Sequence, residues 1–134
     1  MKKTAKKILI VEDSLVDRKL LTELLKGKIN YDMATDGEEA LKIFKKRKYN
    51  LVLLDINLPG LDGMAVLKQL RAYEKEKNIN NIINRTPIII LSVFDKFILR
   101  PFNPDCDGYV TKPIEIKKLL KKIEDTALCR NLVS

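Results

Sequence analysis

Residues 51–55 read LVLLD, four apolar residues followed by an acid. No polar residue interrupts the apolar run, which is the pattern of a strand that helices cover on both faces. A similar run, KILIV at residues 7–11, is followed by Glu12 and Asp13. In a parallel sheet the carboxyl ends of the strands meet at one edge, where open α/β folds bind their ligands. The sequence therefore predicts acidic side chains gathered at one edge of a parallel sheet.

The rest of the chain alternates short apolar runs with longer amphipathic stretches, which is typical of repeated βα units. Strands are predicted at about residues 7–11, 31–34, 51–54, 88–91 and 108–110. Helices are predicted at about residues 14–26, from residue 37 onward, and at about 63–77 and 114–128. From its periodicity, the first helix is expected to bury Leu15, Leu20, Leu21, Leu24 and Leu25, and the last helix Ile116, Leu120 and Ile123.

The connections are less regular. Pro59-Gly60 marks a turn, and the asparagine-rich residues 78–85 predict a surface loop. The fourth helix of a βα series should lie within residues 94–105, but Pro101 and Pro104 interrupt that segment. Proline lacks an N–H and clashes with the preceding helical turn. The fourth helix is therefore predicted to be abbreviated or irregular.

Length and composition predict one globular domain. The chain has 134 residues, of which 46% are hydrophobic and 33% are charged. This is enough apolar material for a sizeable core. We assign residues 1–134 to a single domain with a core at about residues 7–129. No apolar run approaches the roughly 18 residues of a membrane span and no signal peptide is recognisable, so a cytoplasmic location is expected.

The chain contains no histidine. This excludes Ser-His and Cys-His catalysis and any histidine-ligated metal site within the chain. The two cysteines, Cys106 and Cys129, match no metal spacing and are expected to be reduced thiols. If the chain takes part in phosphohistidine chemistry, the imidazole must belong to a partner.

A basic residue follows the predicted fifth strand. Lys112 comes two residues after the end of the short apolar stretch Tyr109-Val110, and Pro113 follows it. The lysine should therefore reach the same edge as the three acids after strands one and three. Carboxylates with a nearby ammonium form a cation site with a counter-charge, which suits the handling of a phosphoryl group.

Four blocks of the sequence together resemble the receiver domains of two-component response regulators, the fold of the chemotaxis regulator. They are ILIVEDS at residues 8–14, LLDINLPGLDG at 53–63, PIIILS at 87–92 and GYVTKP at 108–113. Each block alone is weak, but all four stand in family order and near family spacing. The resemblance implies an α/β fold, a (βα)5 doubly wound parallel sheet with strand order 2-1-3-4-5.

The resemblance implies a magnesium site. Mg²⁺ prefers oxygen ligands in octahedral geometry, usually one or two carboxylates completed by water and phosphate oxygens. Asp13 and Asp55 would be direct ligands, Glu12 would hold a ligand water, and Asn57 would contribute its backbone carbonyl.

The resemblance also implies the residues of phosphoryl transfer. Asp55 would be the nucleophile that becomes an aspartyl phosphate, while Lys112 and the Ser92 hydroxyl would contact the phosphoryl oxygens. Ser92 and Tyr109 would form the family's switch pair. The peptide bond before Pro113 would be cis and would help to orient the lysine.

The implied function is that of a phosphoacceptor in a two-component phosphorelay. A sensor histidine kinase or histidine phosphotransfer protein would be the donor, and a further protein would be the downstream target. The chain would catalyse its own phosphorylation and dephosphorylation without turning over a separate substrate. The alternative is a degenerate receiver that acts as a phosphorylation-independent interaction module.

Two other classes are disfavoured. A hydrolase of the haloacid-dehalogenase type would need a second acid two residues after the nucleophile, where Asn57 stands. A dinucleotide-binding domain would need a glycine-rich loop after strand one. The net charge of +8 is attributed to solvated lysine-rich helix faces, so a nucleic-acid partner is not expected.

Two residues after strand four depart from the family pattern. Val93 stands where the family usually has a small residue, and its bulk would narrow access to Asp55. Phe94 occupies a position that tunes hydrolysis of the phosphoaspartate in the family. Because an apolar side chain cannot position water, a long-lived phosphoryl group is expected, and Phe94→Glu should shorten its lifetime.

Overall fold

A computed structural model describes residues 7–27, 29–57, 62–79, 84–93 and 104–128, with the side chains of the last range as far as residue 126. Within these ranges five strands form one parallel sheet in the order β2-β1-β3-β4-β5. The strands are β1 (Lys7–Val11), β2 (Asn30–Ala34), β3 (Leu51–Asp55), β4 (Ile88–Ser92) and β5 (Gly108–Thr111). The predicted strand order is confirmed.

Four helices lie in the same ranges: α1 (Leu15–Leu25), α2 (Gly37–Lys46), α3 (Gly63–Glu76) and α4 (Ile116–Leu128). The first three begin as capping rules predict. Ser14, Asp36 and Asp62 each accept a hydrogen bond from the backbone N–H three residues further on. Gly27 follows α1 with a φ of +73°, a left-handed conformation that glycine adopts without strain.

The core consists of two apolar layers, one on each face of the sheet. Side chains of α2 and α3 pack on one face with alternate residues of β1, β3 and β4. Side chains of α1 and α4 pack on the other face with the intervening residues. All five residues of β3 are buried, as the uninterrupted apolar run predicts.

Two residues that were expected in the core are exposed instead. Leu15 has 58% of its surface exposed and Ile116 has 45%. Each is the first residue of its helix, and helical side chains lean toward the N-terminus, so both project past the edge of the sheet. In α4 the buried residues are Leu119 and Ile123, and Leu120 is partly buried. The burial predicted for Leu15 and Ile116 is therefore wrong.

Several predicted connections fall on residues 58–61, 80–83 and 94–103, outside the described ranges. The turn at Pro59-Gly60, the centre of the asparagine-rich loop and the irregular fourth helix therefore remain predictions. The described residues at the two ends of that loop, 77–79 and 84–87, belong to no helix or strand. Among the described helices, none combines the length and the apolar character that a membrane span requires.

A largely buried ion network lies where β4 and β5 begin. It consists of Arg71, Glu74, Arg85 and Asp107. Arg71 pairs with Glu74 at 2.8 Å and with Asp107 at 3.0 Å, and Arg85 pairs with Asp107 at 3.0 Å. The network joins the second half of α3 to the residues that lead into the last two strands.

Candidate functional site

The carboxyl ends of β1, β3 and β5 bring the predicted site residues together. Glu12 and Asp13 follow β1, Asp55 ends β3, and Lys112 follows β5. Glu12 is fully buried and Asp55 is 1% exposed, whereas Asp13 is exposed. The register places the ends of β1 and β3 side by side, because Val11 pairs with Leu54. The parallel sheet therefore concentrates charge at this edge.

Lys112 is the positive centre of the site. Its Nζ lies 3.0 Å from Oε1 of Glu12, 3.1 Å from Oδ2 of Asp55 and 3.0 Å from Oδ2 of Asp17. Only 13% of the lysine side chain is exposed. Its backbone N–H donates to the carbonyl of Ser92, which ties the residue to the end of β4.

Glu12, Asp13 and Asp55 form a cluster of potential cation ligands. Each can offer one carboxylate oxygen such that the three oxygens lie within 4.8 Å of one another. Although Lys112 approaches Oε1 of Glu12, this buried oxygen accepts no well-oriented hydrogen bond from the described residues. A hard divalent cation, or water bound to it, would satisfy this oxygen, and an all-oxygen ligand set fits Mg²⁺.

Burial and crowding of acids alter the proton affinity of Glu12. Burial raises the pKa of Glu12 to about 7, together with a hydrogen bond to Asp55 and the negative charge of Asp55. A hydrogen bond to Lys112 acts in the opposite direction and lowers this pKa. Burial lowers the pKa of Lys112, but hydrogen bonds to Asp17 and Glu12 outweigh it and hold the pKa above its ordinary value. The lysine is therefore a fixed positive charge, whereas Glu12 binds a proton more readily than an ordinary glutamate does.

The other predicted site residues lie around this centre. The backbone N–H of Asn57 donates to Oδ1 of Asp55 at 3.0 Å, while Oδ2 faces Lys112. Ser92 is buried at the end of β4. Tyr109 is partly buried and packs against the core layer of α2 and α3, and its hydroxyl contacts Cys106.

Of three smaller expectations, the structure bears on two. The bond between Lys112 and Pro113 is cis, as expected from the family resemblance. Val93 is 58% exposed beside the site. Phe94 lies outside the described residues, so its effect on the phosphoryl lifetime remains a prediction.

Asp17, the third residue of α1, belongs to the site but was not among the residues predicted from the sequence. Its carboxylate pairs with Lys112, although residue 17 lies beyond the strand-end positions that indicated the other acids. Its spacing from the end of β1 could have indicated this role, because a side chain in the first turn of α1 leans back toward the end of that strand.

Comparison with known proteins identifies the family. The family model for the response regulator receiver domain matches residues 8–124. The chain belongs to the response regulator receiver family. The regulatory protein VanRB of Enterococcus faecalis is 36% identical over 119 residues, which cover 87% of this chain and 50% of that protein. The osmolarity protein SSK1 of Saccharomyces cerevisiae is 31% identical over 94% of this chain and 21% of its own length.

Solved receiver structures share the fold. A chain of the complex between the yeast histidine phosphotransfer protein Ypd1 and the Ssk1 receiver domain superposes with a TM-score of 0.83 and 30% identity, covering 97% of this chain and 94% of that one. TrrA from Thermotoga maritima, solved with Mg(2+)-BeF, superposes with a TM-score of 0.74 and 33% identity, covering 90% of this chain and 98% of that one. The receiver resemblance and the predicted fold are thereby confirmed. The chain spans a fifth to a half of the length of the curated relatives VanRB and SSK1.

Proposed function

We propose that the chain accepts a phosphoryl group on Asp55 from a phosphohistidine of a partner protein, in a reaction that requires Mg²⁺. The observation that carries this proposal is the convergence of Asp55, the acidic cluster and Lys112 at one edge of the sheet. Because the chain has no histidine, the donor imidazole belongs to the partner. The family membership supports the same reaction class.

Asp55 is the nucleophile in this reaction. One of its carboxylate oxygens attacks phosphorus, and the P–N bond to the donor imidazole breaks as the O–P bond forms. The hydrogen bond from Asn57 N–H to Oδ1 and the contact of Lys112 with Oδ2 fix the orientation of the carboxylate. Holding the reacting group in place removes part of the entropic barrier.

Charge neutralisation is the second requirement. Three carboxylates, those of Glu12, Asp17 and Asp55, contact the ammonium of Lys112, and Asp13 lies in the same acidic cluster, which leaves three excess negative charges when all four acids are ionised. Asp13 and Asp55, with the backbone carbonyl of Asn57, would hold Mg²⁺, and Glu12 would hold a water bound to it; the cation would neutralise charge on the phosphoryl oxygens. Lys112 supplies the remaining positive charge.

Ser92 and Tyr109 carry the consequence of phosphorylation to the surface. Ser92 stands at the end of β4 beside Asp55, where its hydroxyl reaches a phosphoryl oxygen. Tyr109 is partly buried on the neighbouring strand and is the side chain that responds. The changed surface then alters contacts with a downstream protein.

Exposed apolar residues flank the site and form the docking surface for the phosphodonor. Leu15 and Val16, at the start of α1, are 58% and 75% exposed, and Val93 after β4 is 58% exposed. A histidine-bearing helix that covers these residues would bury apolar surface while it brings the phosphohistidine to Asp55. The yeast complex of Ypd1 with the Ssk1 receiver is a precedent for such a partner.

The test is the intact mass of the chain after incubation with acetyl phosphate and Mg²⁺. We expect a gain of about 80 Da, one phosphoryl group, that disappears with EDTA or in Asp55→Asn. Asp36→Asn is the matched control, because Asp36 caps α2 away from the site and asparagine caps equally well. A mass gain that persists in Asp55→Asn would disprove the assignment of Asp55. No gain from either acetyl phosphate or a phosphorylated histidine donor would favour the phosphorylation-independent interaction module.

A further inference from the structure

Asp17 is an acid of the site whose carboxylate is committed to Lys112. Its Oδ2 lies 3.0 Å from Nζ, and its side chain is 21% exposed. In a helix that begins with serine, an acid at the third position often accepts a hydrogen bond from the N–H of the cap residue. Here the N–H of Ser14 donates to Glu12 instead, at 3.1 Å. The carboxylate of Asp17 is thereby available to the lysine.

The geometry of the ammonium gives this contact its importance. An ammonium has three N–H donors, and Lys112 faces three carboxylates, those of Glu12, Asp17 and Asp55. Glu12 and Asp55 also belong to the cluster of potential cation ligands, whereas Asp17 does not. In the phosphorylation reaction both of those carboxylates would serve the cation, and Asp55 also forms the bond to phosphorus.

We propose that Asp17 is a positioning residue, which holds Lys112 over Asp55 through the one carboxylate that neither the cation nor the phosphoryl group needs. This inference rests on the proposed function. An acid in the first turn also interacts favourably with the helix dipole, but that effect requires no particular partner. The contact of Asp17 with the lysine at 3.0 Å is a defined pairing, which the dipole effect does not require.

The decisive experiment is a double-mutant cycle on the rate of mass gain with acetyl phosphate and saturating Mg²⁺. The proteins are the wild type, Asp17→Asn, Lys112→Met and the double variant. We expect Asp17→Asn to slow phosphorylation about tenfold, which corresponds to roughly 1.4 kcal/mol of barrier. In the Lys112→Met background the same change should have almost no effect, because its target is gone. Glu23→Gln, on the exposed side of α1, is the matched control for loss of one charge.

Equal slowing in both lysine backgrounds, or no slowing by Asp17→Asn, would overturn the positioning role. The ¹⁵N signal of the Lys112 ammonium gives a second readout that needs no phosphorylation. The signal should be sharp in the wild type and broadened in Asp17→Asn, with restoration in Asp17→Glu. If the wild type takes up no phosphoryl group, the proposed function fails and the positioning role fails with it, while the ammonium signal still reports whether Asp17 immobilises the lysine.

Discussion

At the scale of single residues, the site depends on the balance between one ammonium and the carboxylates around it. Glu12 and Asp55 are both buried, and Lys112 lies within 3.1 Å of each. A buried carboxylate without a counter-charge carries a large desolvation cost. The lysine therefore stabilises the folded chain in addition to its proposed part in phosphoryl transfer.

Lys112→Met should expose this structural role. The variant keeps the length of the side chain but removes the positive charge beside Glu12 and Asp55. We therefore expect the free energy of unfolding, measured without metal, to fall by about 3 kcal/mol. Added Mg²⁺ should restore part of that loss, because a ligand of the folded state stabilises it. Urea unfolding with EDTA and with Mg²⁺ measures both effects. Lys118→Met, which removes an exposed pair with Glu115, should cost less than about 1 kcal/mol.

The raised pKa of Glu12 predicts how stability depends on pH. Its pKa is about 7 in the folded chain against an ordinary value of 4.5, so the folded state binds the proton more tightly than the unfolded state does. The contribution of Glu12 is therefore fully present below about 4.5 and is lost as the pH rises through about 7. Unfolding of the wild type and Glu12→Gln in EDTA across this range gives the difference. If the free energies of unfolding of the two proteins change with pH in parallel, the raised pKa of Glu12 is contradicted.

How far the site could be predicted depended on the type of position. Glu12, Asp55 and Lys112 were predictable because each follows an apolar strand, and strand ends must meet at one edge of a parallel sheet. The pairing of Asp17 with Lys112 was not, because a helical acid has several partners within reach and only the tertiary structure selects one. The lack of a well-oriented hydrogen bond at Oε1 of Glu12, among the described residues, likewise depends on the orientation of one side chain.

At the scale of elements, the connection from β3 to α3 determines where Asp55 lies. The N–H of Gly63, the first residue of α3, donates to the carbonyl of Ile56 at 2.9 Å. A Cβ at this position would lie 2.2 Å from Cα of Ile56 and 2.6 Å from the carbonyl oxygen of Asp55. The helix can approach the end of the strand this closely only because residue 63 has no side chain.

Gly63→Ala should therefore disturb both the fold and the site. The added methyl group meets backbone atoms, which cannot rotate away, so we expect a loss of about 2–3 kcal/mol in stability. Because Asp55 is part of the displaced backbone, phosphorylation by acetyl phosphate should slow as well. Gly108→Ala is the control, since its Cβ would meet only the flexible side chain of Lys122 at 3.0 Å. Equal thermal stability of the two variants would refute the close-approach argument.

Helix boundaries were more predictable than helix orientation. The predicted starts of the first three helices, at about residues 14, 37 and 63, agree with the observed starts to within one residue, because a short polar side chain satisfies the free N–H groups of the first turn wherever the helix lies. The burial of Leu15 and Ile116 was predicted wrongly because periodicity does not show where the sheet ends. An apolar residue in the first turn can project beyond the last strand residue.

In the molecule as a whole, the carboxyl ends of the parallel strands form one edge of the sheet and the amino ends form the opposite edge, and these two edges have different roles. The edge at the carboxyl ends carries the acidic cluster, Lys112 and the exposed apolar residues that flank them. The opposite edge carries the buried ion network, in which Asp107 accepts hydrogen bonds from Arg71, Arg85 and the backbone N–H of Ile88. The network lay outside the sequence-based predictions, since its members come from separate segments and follow no motif.

This separation predicts that the ion network contributes to stability without affecting the chemistry. Asp107→Asn leaves two largely buried guanidinium groups with less counter-charge, so the free energy of unfolding should fall by about 3 kcal/mol. Under conditions where the variant remains folded, its rate of phosphorylation should match the wild type, because Asp107 precedes β5 whereas Lys112 follows it. Urea unfolding and the mass assay measure the two quantities on one sample. Glu115→Gln, which breaks an exposed ion pair, should change neither quantity. If the fully folded Asp107→Asn variant is phosphorylated more slowly than the wild type, the two edges are coupled.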